Sequence, residues 1–216
     1  VAGIAAGVGD NGLGTAGAAY RSRIMPVRIF NGATATSTAN IASAVNYAGG
    51  RRANGTGPWV DVGVMNNSWG GGSPATAITD AFTWSSTNGR SGRGVVVSIS
   101  SGNSGAAAMS YPASLAGTLT GVMGIGASTD IDRRASYSQY DANLDVVAPS
   151  SGGIFGIVTT DRQGTNGYNS AAGVAGDYTT TNLSSFGGTS SASPLNAGIA
   201  ALVLARDNTL TAATVK

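Results

Sequence analysis

Residues 195–205 read LNAGIAALVLA, almost entirely Ala, Gly, Ile, Leu and Val. A helix that is apolar on every face has to be buried inside a larger domain, so this stretch fixes the centre of whatever fold the chain adopts. The segment before it, Gly187 to Pro194, reads GGTSSASP. Its small side chains let the helix begin in tight contact with its neighbours. A serine in that first turn lies among free N–H groups and at the positive end of the helix dipole, a favourable place for an oxyanion to form. A lone serine in this position also serves as an ordinary cap of a core helix.

The composition limits the alternatives. At 216 residues the chain suits one sizeable domain, residues 1–216. Apolar residues make up 42% and charged residues only 10%, and the short hydrophobic runs describe a globular α/β chain, neither disordered nor membrane-spanning. Arg21, Arg23, Arg28, Arg51, Arg52, Arg133 and Arg134 are dispersed, with no interleaved aromatics, which argues against a nucleic-acid partner. The absence of cysteine excludes disulfides, thiolate metal sites and a Cys nucleophile. The absence of histidine carries more weight, because a serine nucleophile needs a neighbouring general base. Either that base lies outside these residues or the chemistry is missing.

Patterning predicts strands over 23–30, 61–67, 95–99, 122–127, 144–148 and 154–160, and helices over 34–48, 74–88 and from the serine motif to 205. Glycine-rich polar tracts at 49–58 and 161–185 read as connections. Strands alternating with helices imply a doubly wound, mainly parallel sheet with helices on both faces. Gly12 to Gly17, GLGTAG, matches a dinucleotide-binding fingerprint. That fingerprint needs a preceding strand, a following helix and an acid about 20 residues on. Here a helix-like stretch precedes, a strand follows, and no Asp occurs between Asp10 and Asp61.

Several motifs in order resemble the subtilisin-like serine proteases. G-T-S-x-A-x-P is matched at Gly188, Thr189, Ser190, Ala192 and Pro194; Ser68-Trp69-Gly70, Ser100-Ser101-Gly102-Asn103, Tyr111-Pro112-Ala113 and LDVVAPSSG from Leu144 follow the same family. The resemblance implies a subtilisin-like α/β fold and serine endopeptidase activity on peptide or protein substrates. It makes Ser190 the nucleophile and Asn103 the oxyanion donor. Ser68, Trp69, Gly70, Ser100, Ser101 and Gly102 become the walls of the P1 pocket, with the Tyr111-Pro112-Ala113 segment, often a cis proline in this family, on its far side. Trp69 also reads as a core aromatic, and Asn103 beside Gly102 as an ordinary turn.

The resemblance further implies that Val1 to Gly7 follows the catalytic His closely. The chain is then the C-terminal two-thirds of a catalytic domain, incomplete without an upstream His and Asp and inactive alone. A propeptide and an additional C-terminal domain are possible companions, and the family implies secretion or a cell-surface location. The loop Val8 to Gly17 resembles one that wraps a structural calcium ion, with Val8, Asn11, Leu13 and Thr15 as half of the ligand set, three carbonyls and one side-chain oxygen.

SWG, and PLNAG in place of a His after Pro194, point to the kexin and furin branch. The acidic groups with which that branch selects basic substrates are replaced here by Gly71-Gly72-Ser73, Ala106-Ala107-Ala108 and Gln139, so the expectation is an uncharged P1 residue and no second calcium site. The alternative is a subtilase-fold protein without catalysis, acting as a peptide-binding or assembly module.

Overall fold

The computed structural model describes residues 1–12, 14–32, 34–51, 62–162 and 186–216. In chain order the elements are α1 (Ala2–Ala6), a small antiparallel pair β1 (Phe30–Asn31) and β2 (Thr34–Ala35), α2 (Thr38–Ala48), β3 (Val64–Asn67), α3 (Thr76–Gly92), β4 (Val96–Ser100), a 3₁₀ turn (Ala113–Gly117), β5 (Val122–Ser128), β6 (Val146–Pro149), α4 (Thr189–Arg206) and α5 (Ala212–Val215). β3, β4, β5 and β6 form a parallel sheet in that order. α2 starts where Ser37 accepts a hydrogen bond from the Asn40 N–H at 3.3 Å.

Every residue of β4 is buried, and its two sets of alternating side chains enter different cores. Val97 and Ile99 join Ile41 and Val45 of α2 and Ile78 and Phe82 of α3. Val96 joins Met123 and Ile125 of β5 and Ala192, Ala200 and Leu204 of α4. The sheet thus carries helices on both faces, as the alternation of elements predicts. Gly198 lets α1 and α4 approach closely: a Cβ there would lie 2.7 Å from Ala18 Cβ and 2.8 Å from the Ala5 carbonyl.

Four expectations change. Of residues 23–30 only Phe30 enters a strand, in the small hairpin outside the main sheet; Pro26 has no N–H to give a ladder. Residues 154–160 form no strand, only isolated bridges such as Ile157 to Phe186, and the Asp130 carboxylate takes the N–H groups of Ile154 and Phe155 at 2.9 and 3.1 Å. α3 starts at Thr76 with Ala75 as its cap, so Pro74 precedes the helix. α4 is not enclosed on every side, since Ile199, Leu202 and Val203 are exposed. Asp61 and most of the two polar tracts lie outside the described residues.

Candidate active site

α4 begins at Thr189 with Gly188, which has no side chain to offer, in the cap position at φ 73°. Ser190 is therefore not the cap of its helix. Its Oγ reaches instead to the Ser68 carbonyl, 3.3 Å away, at the end of β3. Pro194 explains the complementary contact. It stands four residues after Ser190 and has no N–H, so the Ser190 carbonyl receives no helical hydrogen bond from it. The Ser68 Oγ donates to that carbonyl at 2.9 Å. Two reciprocal bonds join Ser68 to Ser190.

Asn103 follows the end of β4, and its side chain crosses to the start of α4. Its Oδ1 accepts from the Thr189 N–H at 2.9 Å and the Thr189 Oγ1 at 2.8 Å. Thr189 Oγ1 also receives the Gly102 N–H at 3.2 Å. With Oδ1 committed to Thr189, Nδ2 is the donor end of this side chain. A Cβ on Gly188 would stand 3.0 Å from that Nδ2, so the glycine serves both the positive φ and the close approach. An amide donor and a serine hydroxyl are thereby held at the N-terminus of an 18-residue helix, where developing negative charge is stabilised.

The walls named from sequence come together. Ser110 N–H donates to the Ser101 carbonyl at 2.9 Å and Gly71 N–H to the Tyr111 carbonyl at 2.8 Å, so the Tyr111-Pro112 segment, joined by a cis peptide, bridges the 68–70 and 100–102 stretches. The Ser100 and Ser101 side chains are buried and turned to Asn67 and Gln139, and the Ser101 N–H donates to the Ile125 carbonyl at 2.9 Å. Trp69 is half-buried: its Nε1 donates to Asn67 Oδ1 at 3.1 Å and its ring stacks on Phe82, so the core reading of this tryptophan describes most of its surface.

The loop at the other candidate site surrounds a hollow of about 280 Å³ lined by Asp10, Asn11, Thr15 and four other residues. Val8 is exposed and not part of that lining, and Leu13 lies outside the described residues. Among the described residues no three Asp side chains converge as metal ligands. The oxygens present, an Asn amide, an Asp carboxylate, a Thr hydroxyl and loop carbonyls, are the hard donors calcium takes. Sequence reading missed Asp10 here, and at the nucleophile it missed the two roles of Thr189 and the freeing of the Ser190 carbonyl by Pro194. The spacing of Ser190 and Pro194 was the signal for the last.

The profile of the subtilase family matches residues 1–216. M-protease of Shouchella clausii is 34% identical over 194 residues, covering 90% of this chain and 41% of that protein. The extracellular protease of Xanthomonas campestris is 35% identical over 205 residues, 94% of this chain and 31% of the relative. A protease structure from Pseudoalteromonas arctica superposes with a TM-score of 0.78 at 29% identity, over 99% of this chain and 60% of that one. A cold-adapted subtilisin-like serine proteinase superposes at 0.63 and 28% identity, over 92% and 59%. The chain spans less than two-thirds of each. These relatives are bacterial proteases, and the kexin and furin branch suggested by Trp69 and Leu195 is not supported. Both residues are packed into the two cores, so their identity reports packing and not branch.

Proposed function

We propose that this chain, which belongs to the subtilase family, supplies the nucleophile, the oxyanion donor and the substrate walls of a serine endopeptidase. The observation that carries the reading is the fixed Asn103 amide at the start of α4, tied to Thr189 at 2.8 and 2.9 Å beside Ser190. Ser190 Oγ attacks the scissile carbonyl carbon and gives its proton to a histidine. The carbonyl oxygen becomes anionic and accepts from Asn103 Nδ2 and the Ser190 N–H. The tetrahedral species collapses to an acyl-enzyme as the protonated histidine gives its proton to the leaving amine; water then releases the acyl group by the same steps.

No histidine occurs among the 216 residues, so on this reading the base, with the Asp that orients it, comes from outside them. The fold supports that division. A cleft of about 960 Å³ runs between residues 22–30 and β3, floored by α1, α2 and α4. Its length of apolar wall suits a further strand, carrying the Asp, between those two segments. Calcium, where bound, would be held by oxygens of Asp10, Asn11 and Thr15, which line the hollow, and would supply rigidity to the loop that follows α1. Relatives named extracellular protease and cell wall-associated protease support a secreted or cell-surface location.

The lack of histidine also favours a second reading, a non-catalytic module that binds peptides. Labelling with a fluorophosphonate probe separates the two. The complete protein should react at Ser190 and hydrolyse peptides, Ser190→Ala should do neither, and residues 1–216 alone should label at least about 10³-fold more slowly. Equal labelling of the short and complete chains would overturn the claim of an external base, and an unreactive complete protein would leave the binding module.

A further inference from the structure

We propose that Gln139 is a positioning residue that holds the backbone on both sides of Asn103 and so aims the oxyanion donor at Ser190. The proposal rests on the endopeptidase reading above. Gln139 is a buried, uncharged side chain with no part in the pairing of Asn103 with Thr189. Its contacts are with the loop that carries Asn103. The Gln139 N–H donates to the Gly102 carbonyl at 3.1 Å, and the Gln139 carbonyl accepts from Ser101 Oγ at 2.8 Å. The side-chain Oε1 accepts from the Ser104 N–H at 3.3 Å and from Ser110 Oγ at 3.0 Å, and Nε2 donates to the Ala108 carbonyl at 2.7 Å.

One residue thus secures Gly102 and Ser104, the neighbours of Asn103 on either side, and the returning arm of the same loop. The chemistry demands an amide. Two donors converge on one end of the side chain and a carbonyl faces the other, a pattern that a carboxylate cannot satisfy because it only accepts. The clasp is also close-fitting: a Cβ on Gly102 would collide with Gln139 Oε1. Gln139 itself stands on a firm base. Ser138 Oγ accepts from the Ala127 N–H of β5 at 2.9 Å, the Ala135 N–H donates to the Ala127 carbonyl at 2.9 Å, and Arg134 lies over the Tyr140 ring at 4.2 Å. Asn103 Oδ1 is fixed by Thr189 from one side, and the Asn103 backbone by Gln139 from the other. An oxyanion donor has to be held at both, because misplacement by about 1 Å at a reacting centre costs on the order of 10²-fold in rate.

The test is a double-mutant cycle in the complete protein, with Gln139→Met, Asn103→Ala and the double variant compared by steady-state hydrolysis of a peptide p-nitroanilide. Gln139→Met keeps the volume and removes all three side-chain bonds. It should lower kcat about 10-fold with KM within about two-fold, since the misaimed group acts on charge present only in the transition state. In the Asn103→Ala background the same change should alter kcat by less than about two-fold, because the group it positions is gone. An equal loss in both backgrounds, or a rise in KM in place of the fall in kcat, would overturn the proposal. Should Gln139→Met fail to fold, Gln139→Glu carries the same cycle with the same expected non-additivity, as it sets an oxygen against the Ala108 carbonyl. Amide hydrogen exchange at Ser104 reads the clasp without turnover. Lost protection in the variant supports the clasp even if the wild-type protein proves inactive, whereas unchanged protection refutes it.

Discussion

Removing the Asn103 side chain should have two separable effects, because its two ends do different things. In the proposed mechanism Nδ2 is the oxyanion donor, and in subtilisin itself the loss of one such donor costs about 10²–10³ in kcat, about 2.7–4 kcal/mol. Oδ1 is the acceptor for the Thr189 N–H and Oγ1 at 2.9 and 2.8 Å, and Thr189 is only 1% exposed. Asn103→Ala leaves those donors unpaired at a cost of about 1–3 kcal/mol in stability. Asn103→Asp keeps the acceptor, strengthens it by charge, and replaces the donor with an anionic oxygen facing the place where the oxyanion forms. The Asp variant should therefore melt near the wild-type temperature and the Ala variant below it, while kcat falls by about 10² or more in both with little change in KM. Steady-state peptide hydrolysis and thermal unfolding of the complete protein provide the two readings. Recovery of activity in the Asp variant would mean that Asn103 acts by holding the helix and not by donation. Retention of over half the wild-type kcat in the Ala variant would remove it from the mechanism.

The complete enzyme should cleave after uncharged P1 residues, because Ser110 and Gln139, the groups directly against Gly102, are neutral and a desolvated substrate cation would find no carboxylate there; a peptide-library profile dominated by Arg or Lys would contradict this. Gly102→Ala should lower unfolding stability in urea by about 2–4 kcal/mol, from strain at a positive φ and from overpacking, given a φ of 114° and the contact with Gln139 Oε1; a variant within about 0.5 kcal/mol of wild type would show that the loop yields. Calcium should raise the melting temperature of the complete protein, and Asn11→Ala should reduce that rise; a melting temperature independent of calcium would remove the ion from the loop.

The parts of the fold legible in the sequence are those whose pattern is local. The β-branched run at 95–99 is β4 shifted by one residue, and Ile41, Val45 and Ala48 are the buried face of α2. The segments at 23–30 and 154–160 have the same apolar character. Strand formation there depends on what lies alongside, however, and no propensity encodes whether Asp130 will take the N–H groups of Ile154 and Phe155. The exposed Ile199 and Leu202 on α4 make the same point: a pattern apolar on every face does not say which faces will be covered. At the candidate site, the motif drew out Ser190 and Asn103, each of which sits where an element begins or ends. The Thr189 to Asn103 and Gln139 to Ser104 bonds span 86 and 35 residues. Nothing in a threonine or a glutamine taken singly announces such a partner.

The same limit explains the serines beneath the site, which a hydrophobic pattern would count as defects. α4 presents Ala, Gly and Ser to the sheet, side chains too small to interlock and so poor at fixing a helix in rotation or along its axis. Directional bonds supply that register. Asn196 Nδ2 donates to Ser98 Oγ at 3.3 Å, and Ser98 Oγ to the Ser193 carbonyl at 2.9 Å. Ser193 Oγ donates to Asn66 Oδ1 at 2.8 Å, Asn66 Nδ2 to Ser68 Oγ at 3.0 Å, and Ser68 Oγ to the Ser190 carbonyl. Each hydroxyl in this series donates once and accepts at most once, so one consistent set of protons satisfies every bond. Buried polar groups that are fully paired add little net stability over an apolar core, but they select one arrangement among several of similar energy. The nucleophile proposed here would have to be held to within about 0.5 Å, and hydrogen bonds from β3 and β4 are what fix the register of a helix of small residues.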